Sequence, residues 1–338
     1  MKILVTGNLG YVGNVLTRML LNQKFDVIGC DVGFYPQGFL GLENSKNKQI
    51  KKDIRNLSIE DLKGISAICH LAALSNDPLG EINPNSTEEI NYKATIRLAK
   101  LAKEVGVEKF VFSSSCSSYG MNENTVNEES ELAPLTAYAK SKVNSEKEIS
   151  KLSDSNFCTT NLRSATAYGL SNSIRLDLVV NNLTCSAFTT NHVKLLSDGT
   201  AWRPLVHVED MSNAFISVLN AKNSEVNNQA FNVGTNEDNY TVREIAQKVE
   251  QIVPNSSITY AENANKDLRS YKVDFSKIKQ VLGYETKWSL DKAIKEIYDL
   301  LKIKKFTEED FKDKKYYRVA YIKWLIENKK IDNNLFIN

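Results

Sequence analysis

Tyr138 and Lys142 stand four residues apart in Tyr138-Ala139-Lys140-Ser141-Lys142. That spacing puts two side chains on one face of a helix, one turn apart. An ammonium beside a phenol favours the phenolate and lowers its pKa. Such a tyrosine can take a proton from a hydroxyl while hydride leaves the same carbon. Upstream, Ser113-Ser114-Ser115-Cys116-Ser117-Ser118-Tyr119-Gly120 offers hydroxyls that could hold the reacting oxygen beside Tyr138. Taken alone, the first motif is an ordinary surface-helix pair and the second a polar turn satisfying its own backbone. The elements that would carry them decide the matter.

The chain opens on the first of these elements. Met1-Lys2-Ile3-Leu4-Val5 reads as a buried parallel strand, and Val15, Leu16, Met19 and Leu20 recur at helical spacing within Asn14 to Asn22. Between them lies Thr6-Gly7-Asn8-Leu9-Gly10-Tyr11-Val12-Gly13. A strand passing through three spaced glycines into a helix is the dinucleotide-binding turn. One glycine makes the turn, one lets a pyrophosphate approach the backbone, and one lets helix and strand pack closely. The helix N-terminus offers N–H groups and a partial positive charge to the phosphates. The expected cofactor contacts are therefore Gly7, Gly10, Tyr11, Val12 and Gly13. A second strand, Phe25 to Cys30, ends at Asp31, about 20 residues on, as the fingerprint requires. A carboxylate there accepts hydrogen bonds from a ribose 2′-hydroxyl and repels a 2′-phosphate. No Arg or Lys occurs between Asp31 and Lys46, so the expected cofactor is NAD rather than NADP.

Strand and helix alternate from Met1 to about Leu162. Further strands are read at Ala67 to Ala73, Lys109 to Ser113 and Asn156 to Arg163. Helices are read at Asn91 to Val105 and Tyr138 to Leu152. The fold class is α/β, a Rossmann-type doubly wound parallel sheet with helices on both faces. Ligands bind such sheets outside the carboxyl ends of the strands. After about Ser164 the alternation stops. The expected division is an NAD-binding domain over 1–163 plus roughly 203–234, and a smaller interleaved α/β substrate lobe over 164–202 and 235–338. The lobe ends in a helical, charged and aromatic tail from Glu308 to Lys330. Its Tyr316, Tyr317, Tyr321 and Trp324 are expected to pack on the second lobe or on a partner subunit.

Composition narrows the class. The chain has 338 residues and a net charge of +2, with no basic field for nucleic acid and no charge run marking a tail. Its five cysteines are scattered and odd in number, which argues against disulfides or zinc and for a reducing, cytoplasmic setting. His70, His192 and His207 are too dispersed for a metal cluster. No run approaches 18 apolar residues, so no membrane span is expected. The N-terminus enters a strand at once, so no secretory signal is expected either.

These motifs together resemble the extended short-chain dehydrogenase/reductase family, the nucleotide-sugar epimerases and dehydratases. The likeness covers nearly the whole length. It includes the glycine turn, Asp53-Ile54, His70-Leu71-Ala72-Ala73, Asn91, the serine strand and Tyr138-x-x-x-Lys142. Leu162-Arg163, Tyr168-Gly169 and Arg203-Pro204-Leu205-Val206-His207-Val208-Glu209-Asp210 complete it. The resemblance implies a nucleotide-diphosphate sugar as substrate and a homodimer. It implies that Asp53 and Ile54 border the adenine, that Leu71, Ala72 and Ala73 line the pyrophosphate and nicotinamide riboside, and that Lys142 meets the ribose. Asn91 joins the cofactor contacts. Ser115 is the catalytic serine, with Tyr138 as acid/base. Ser117, Asn182, Arg203 and Arg269 would hold the substrate, since a guanidinium fork suits a diphosphate.

Two departures bear on the reaction. The 4,6-dehydratases that the chain resembles carry an Asp-Glu pair where Cys116 and Ser117 stand, so the acid for that elimination is missing. Cys116 itself resembles a cysteine of the 3,5-epimerases and could be catalytic if its thiolate were favoured. Otherwise it is a small buried thiol. Thr166 stands where many 4-epimerases have Asn. The expected activity is epimerisation by hydride transfer at a sugar carbon, C4 first. A net C4 dehydrogenase, a 4-keto-sugar reductase or a non-catalytic NAD-binding regulator stand as alternatives.

Overall fold

The computed structural model describes residues 1–41, 47–265 and 270–338. Its central sheet has seven strands, all parallel. In chain order these are β1 (Lys2–Thr6), β2 (Asp26–Cys30), β3 (Lys48–Ile50), β4 (Ala67–His70), β5 (Lys109–Ser115), Cys158–Ser164 and Gln229–Val233. In space they run β3-β2-β1-β4-β5, then Cys158–Ser164, then Gln229–Val233. The order reverses between β1 and β4, and a doubly wound sheet opens its binding crevice at such a switch point. The strands read as near-continuous apolar runs because both faces are covered. Ile3, Val5, Cys69 and Val111 face one core with Leu16, Leu20 and Phe215. Leu4, Ile68, Phe110 and Phe112 face another with Leu98, Ala102 and Ile149.

The end of β5 is fixed by a buried polar network. Arg163 donates from Nε and Nη2 to the Glu146 carboxylate, at 2.7 Å for the closest pair. Ser114 Oγ donates to the same carboxylate. Arg163 Nη1 reaches Tyr119 Oη at 3.1 Å, and Tyr119 donates onward to Asn232 at 2.7 Å. The network ties the serine strand to the next two strands of the sheet, Cys158–Ser164 and Gln229–Val233, and to the helix Ala137–Leu152.

A second core gathers Tyr168, Leu183, Leu205, Ile245, Ile294 and Leu301. Around it lie a three-stranded sheet (Thr166–Tyr168, Trp202–His207, Asn239–Thr241) and the helices Val179–Thr190, Val242–Ile252 and Leu290–Lys304. Thr241 and Glu244 form the capping box their spacing predicts.

The tail differs from its expected course. It is broken into Glu308–Lys312, a 3₁₀ turn Lys314–Tyr316 and a helix Arg318–Glu327, because the Asp313 side chain accepts from Lys315 N and restarts the chain there. Tyr316 and Tyr317 pack on the second core as expected. Tyr321 and Trp324 instead join Ile322, Leu325, Ile331 and Leu335 on the core of the parallel sheet. Arg55 fastens the end, donating to Asn334 O and Leu335 O and covering the Phe336 ring at 3.5 Å. The tail thus crosses from one core to the other.

Candidate active site

A cavity of about 1080 Å³ lies outside the carboxyl ends of the strands. This is at or beyond the top of the roughly 300–1,000 Å³ of ordinary ligand clefts. Its floor is the glycine turn. Gly7 has φ +73°, a conformation that glycine adopts at no steric cost. A Cβ on Gly13 would lie 2.0 Å from Gly7 O, so only glycine lets the helix Tyr11–Asn22, α1, pack this close. No side chain caps α1, so its first N–H groups are left for a ligand. Gly10, Tyr11, Val12, Leu71, Ala72, Ala73, Asp53 and Ile54 all line the same cavity.

Asp31 lines it too. Its carboxylate accepts from Leu9 N at 3.1 Å and Gly33 N at 2.8 Å. Burial raises its pKa against those two bonds. Each carboxylate oxygen keeps acceptor capacity for a ribose hydroxyl. A basic residue does act on Asp31, however: Arg318, from the tail. A search of the neighbouring sequence could not find it.

Asn91 is placed differently from its expected role. It does not line the cavity. It is buried in the π-helical turn Glu88–Lys93, where its amide accepts from Leu74 N at 2.8 Å and donates to Leu74 O at 3.0 Å and Ser141 Oγ at 3.3 Å. It joins the loop after β4 to the helix that carries Tyr138, and so positions both.

Thr136 starts that helix, accepting from Ala139 N at 3.1 Å. Tyr138 falls in the first turn and Lys142 in the next. Tyr138 and Ser115 line the cavity together, and Ser115 acts on the phenol to lower its pKa. Ser115 Oγ also accepts from Ser117 N at 3.1 Å and Ser117 Oγ at 2.9 Å. Lys142 Nζ donates to Ser113 O at 2.7 Å and lies 5.6 Å from the Tyr138 ring centre. Without cofactor, burial dominates both groups. It pushes the Tyr138 phenol up to about 12 against the opposing effect of Ser115, and the Lys142 amine down to about 7 despite Glu146.

The Lys142 shift has a measurable sign. Its ordinary value is 10.5. Between about 7 and that value the unfolded chain holds a proton that the folded chain lacks, so stability rises with pH. In NAD-free protein, the folded state should gain about 2 kcal/mol between pH 7 and pH 9 relative to Lys142→Met, by denaturant titration. A pH-independent difference would mean that Lys142 stays charged.

Cys116 does not face this chemistry. It is fully buried outside the cavity lining, its thiol donates to Arg163 O at 3.1 Å, and burial raises its pKa well above the ordinary value. The residue begins the 3₁₀ turn Cys116–Tyr119, which turns it away while Ser115 and Ser117 stay in the cavity wall.

Thr166, Asn182 and Arg203 line the same cavity. Asn182 Nδ2 donates to Leu176 O at 2.7 Å, and Arg203 Nη1 to Trp202 O at 2.8 Å. Arg269 lies outside the described residues. The cavity also holds residues that the sequence reading missed: Asp77, Arg175, Asp177, Tyr317 and Arg318. Asp77 accepts from Thr136 Oγ1 at 2.6 Å. Arg175 pairs with Asp177 at 2.8 Å and reaches Ser75 at 3.2 Å. The Arg175-Leu176-Asp177 triplet was a visible signal, a charge pair in an otherwise uncharged stretch. Among the described residues no group of three His, Cys, Asp or Glu could hold a metal, and no helix is long and apolar enough to cross a membrane.

The glycine cradle, the uncapped helix start and the Asp31 carboxylate fit a dinucleotide, and the comparisons agree. Residues 3–234 match the model of the NAD dependent epimerase/dehydratase family. The chain belongs to that family. It is an enzyme, and NAD is its cofactor. It is 28% identical over 305 residues to the uncharacterized UDP-glucose epimerase YtcB of Bacillus subtilis (strain 168), covering 86% of this chain and 94% of that one. It is 25% identical over 309 residues to the UDP-glucuronate 4-epimerase of Thermodesulfobacterium geofontis (strain OPF15), covering 86% and 93%. The solved structure of MoeE5 in complex with UDP-glucose and NAD has a TM-score of 0.77 and 25% identity, covering 90% of this chain and 99% of that one.

Proposed function

We propose that the protein epimerises a nucleoside-diphosphate sugar at C4 through a keto intermediate, with uridine diphosphate as the carrier group. The observation that carries this reading is the joining of Ser115, Tyr138 and Lys142 in the cavity of the glycine turn. Ser115 holds the sugar oxygen, and Tyr138 takes its proton and later returns it. Lys142 meets the ribose hydroxyls, while Arg203 and Asn182 hold the diphosphate. NAD, when bound, supplies the hydride acceptor and donor. The carrier is proposed because the three relatives described above are named for UDP-sugars or crystallised with one.

The test is incubation with UDP-glucose and UDP-glucuronate in deuterated water. The 4-epimer should form without NADH absorbance at 340 nm and without deuterium in the ring. Cys116→Ala should keep most of the activity, because the thiol lies outside the cavity. Stoichiometric NADH would point to a dehydrogenase instead. Ring deuterium together with a dead Cys116→Ala variant would overturn the C4 mechanism.

A further inference from the structure

Arg318 is the last residue that the chain adds to the cavity wall. It is 2% exposed, yet it stands at the start of a surface helix whose other residues cover the parallel sheet. Its guanidinium lies 3.9 Å above the Tyr35 ring. Among the described residues its hydrogen bonds are two, from Nη2 to Ser173 O and Ser173 Oγ, each 2.9 Å. No carboxylate there comes within ion-pair distance. Asp31 and Asp177 act on it only from farther off, and Asp177 is already paired with Arg175. Burial accordingly drags its pKa down to about 10. A buried cation without a partner is costly, and this one borders the cavity with N–H groups to spare.

Its placement says which anion it awaits. Ser173 belongs to a loop stapled onto the glycine turn: Ser171 Oγ donates to Tyr11 O, and Tyr11 Oη donates to Gly169 O, both at 2.7 Å. Leu176 N donates to Tyr316 O at 3.0 Å, which pins the tail to the same loop. Arg318 is therefore held on the loop that is fastened to the start of α1, at the Asp31 end of the cavity.

We infer that Arg318 is a cofactor-binding residue, delivered by the C-terminal segment, whose guanidinium clamps the pyrophosphate of NAD against the N-terminus of α1. The segment acts as a strap over the cofactor half of the cavity. The inference rests on NAD as the cofactor and needs no sugar to be present.

The experiment is calorimetric titration of NAD-stripped full-length protein with NAD, ADP, adenosine and UDP, for the unmodified chain, Arg318→Met and Arg318→Lys. Thermal melts without ligand check folding. Arg318→Met should weaken NAD and ADP by about tenfold or more and leave adenosine and UDP unchanged. Arg318→Lys should recover part of the loss. In the unmodified protein, NAD should protect residues 314–318 from hydrogen exchange, and Arg318→Met should abolish that protection. Equal loss for adenosine and ADP would reduce Arg318 to a structural role. Loss for UDP alone would move it to the substrate. Unchanged NAD affinity in a folded Arg318→Met protein overturns the clamp while leaving the epimerase reading intact. Failure of the unmodified protein to bind NAD would overturn both.

Discussion

Tyr138→Phe should lower the rate of epimer formation by about 10²–10⁴-fold, the usual cost of losing a general acid–base group. The change keeps the buried ring and removes only the phenolic oxygen. Lys142 should keep its bond to Ser113 O, which does not involve the phenol. Bound NAD and UDP affinity should therefore be unchanged, and the whole loss should fall on kcat. A loss below tenfold, or an equal rise in KM, would remove Tyr138 from the chemical step.

Glu146→Ala should destabilise the protein by about 3–5 kcal/mol, as breaking a buried ion pair from one side does. The carboxylate is 5% exposed and receives Arg163 twice over, with Ser114 beside it. Alanine leaves the Arg163 guanidinium, itself 8% exposed, facing a void. The double change Glu146→Leu with Arg163→Met should recover most of the loss, because it removes both charges and keeps the volume. Urea unfolding reads both values. A single-variant cost under about 1 kcal/mol would mean that water reaches the pair.

The parts of the site that were legible in the sequence are those whose pattern is local. The strand, glycine turn and helix around Gly7 to Gly13 identify themselves by spacing, as does the helix turn that brings Tyr138 and Lys142 together. Asp31 follows from its place at the end of β2. Cys116 and Asn91 stand inside motifs, yet both are buried behind the cavity wall, Asn91 on the Leu74 backbone and Cys116 on Arg163 O. In an extended strand entering a 3₁₀ turn, neighbouring side chains diverge, so Ser115 and Ser117 line the cavity while Cys116 meets Arg163 O. A motif gives a residue's place in the chain and not its direction. Arg318 was illegible for the opposite reason. Nothing near it in sequence announces a cavity, and its contacts to Tyr35 and Ser173 are made only when the tail crosses from one core to the other. No basic residue stands between Asp31 and Lys46 in the chain, and the one that acts on Asp31, Arg318, is folded in from the far end.

That crossing also sets an order of assembly during translation. All seven strands of the parallel sheet and the whole glycine turn have left the ribosome before residues 314–338 are made. Domains fold largely as they emerge, N-terminal part first, so the dinucleotide floor stands open to solvent while the second core is still being synthesised. The rim formed by Tyr317 and Arg318 is the last part of the cavity to exist. The cavity wall is complete only when the helix Arg318–Glu327 docks on the parallel sheet through its Ile322 and Leu325.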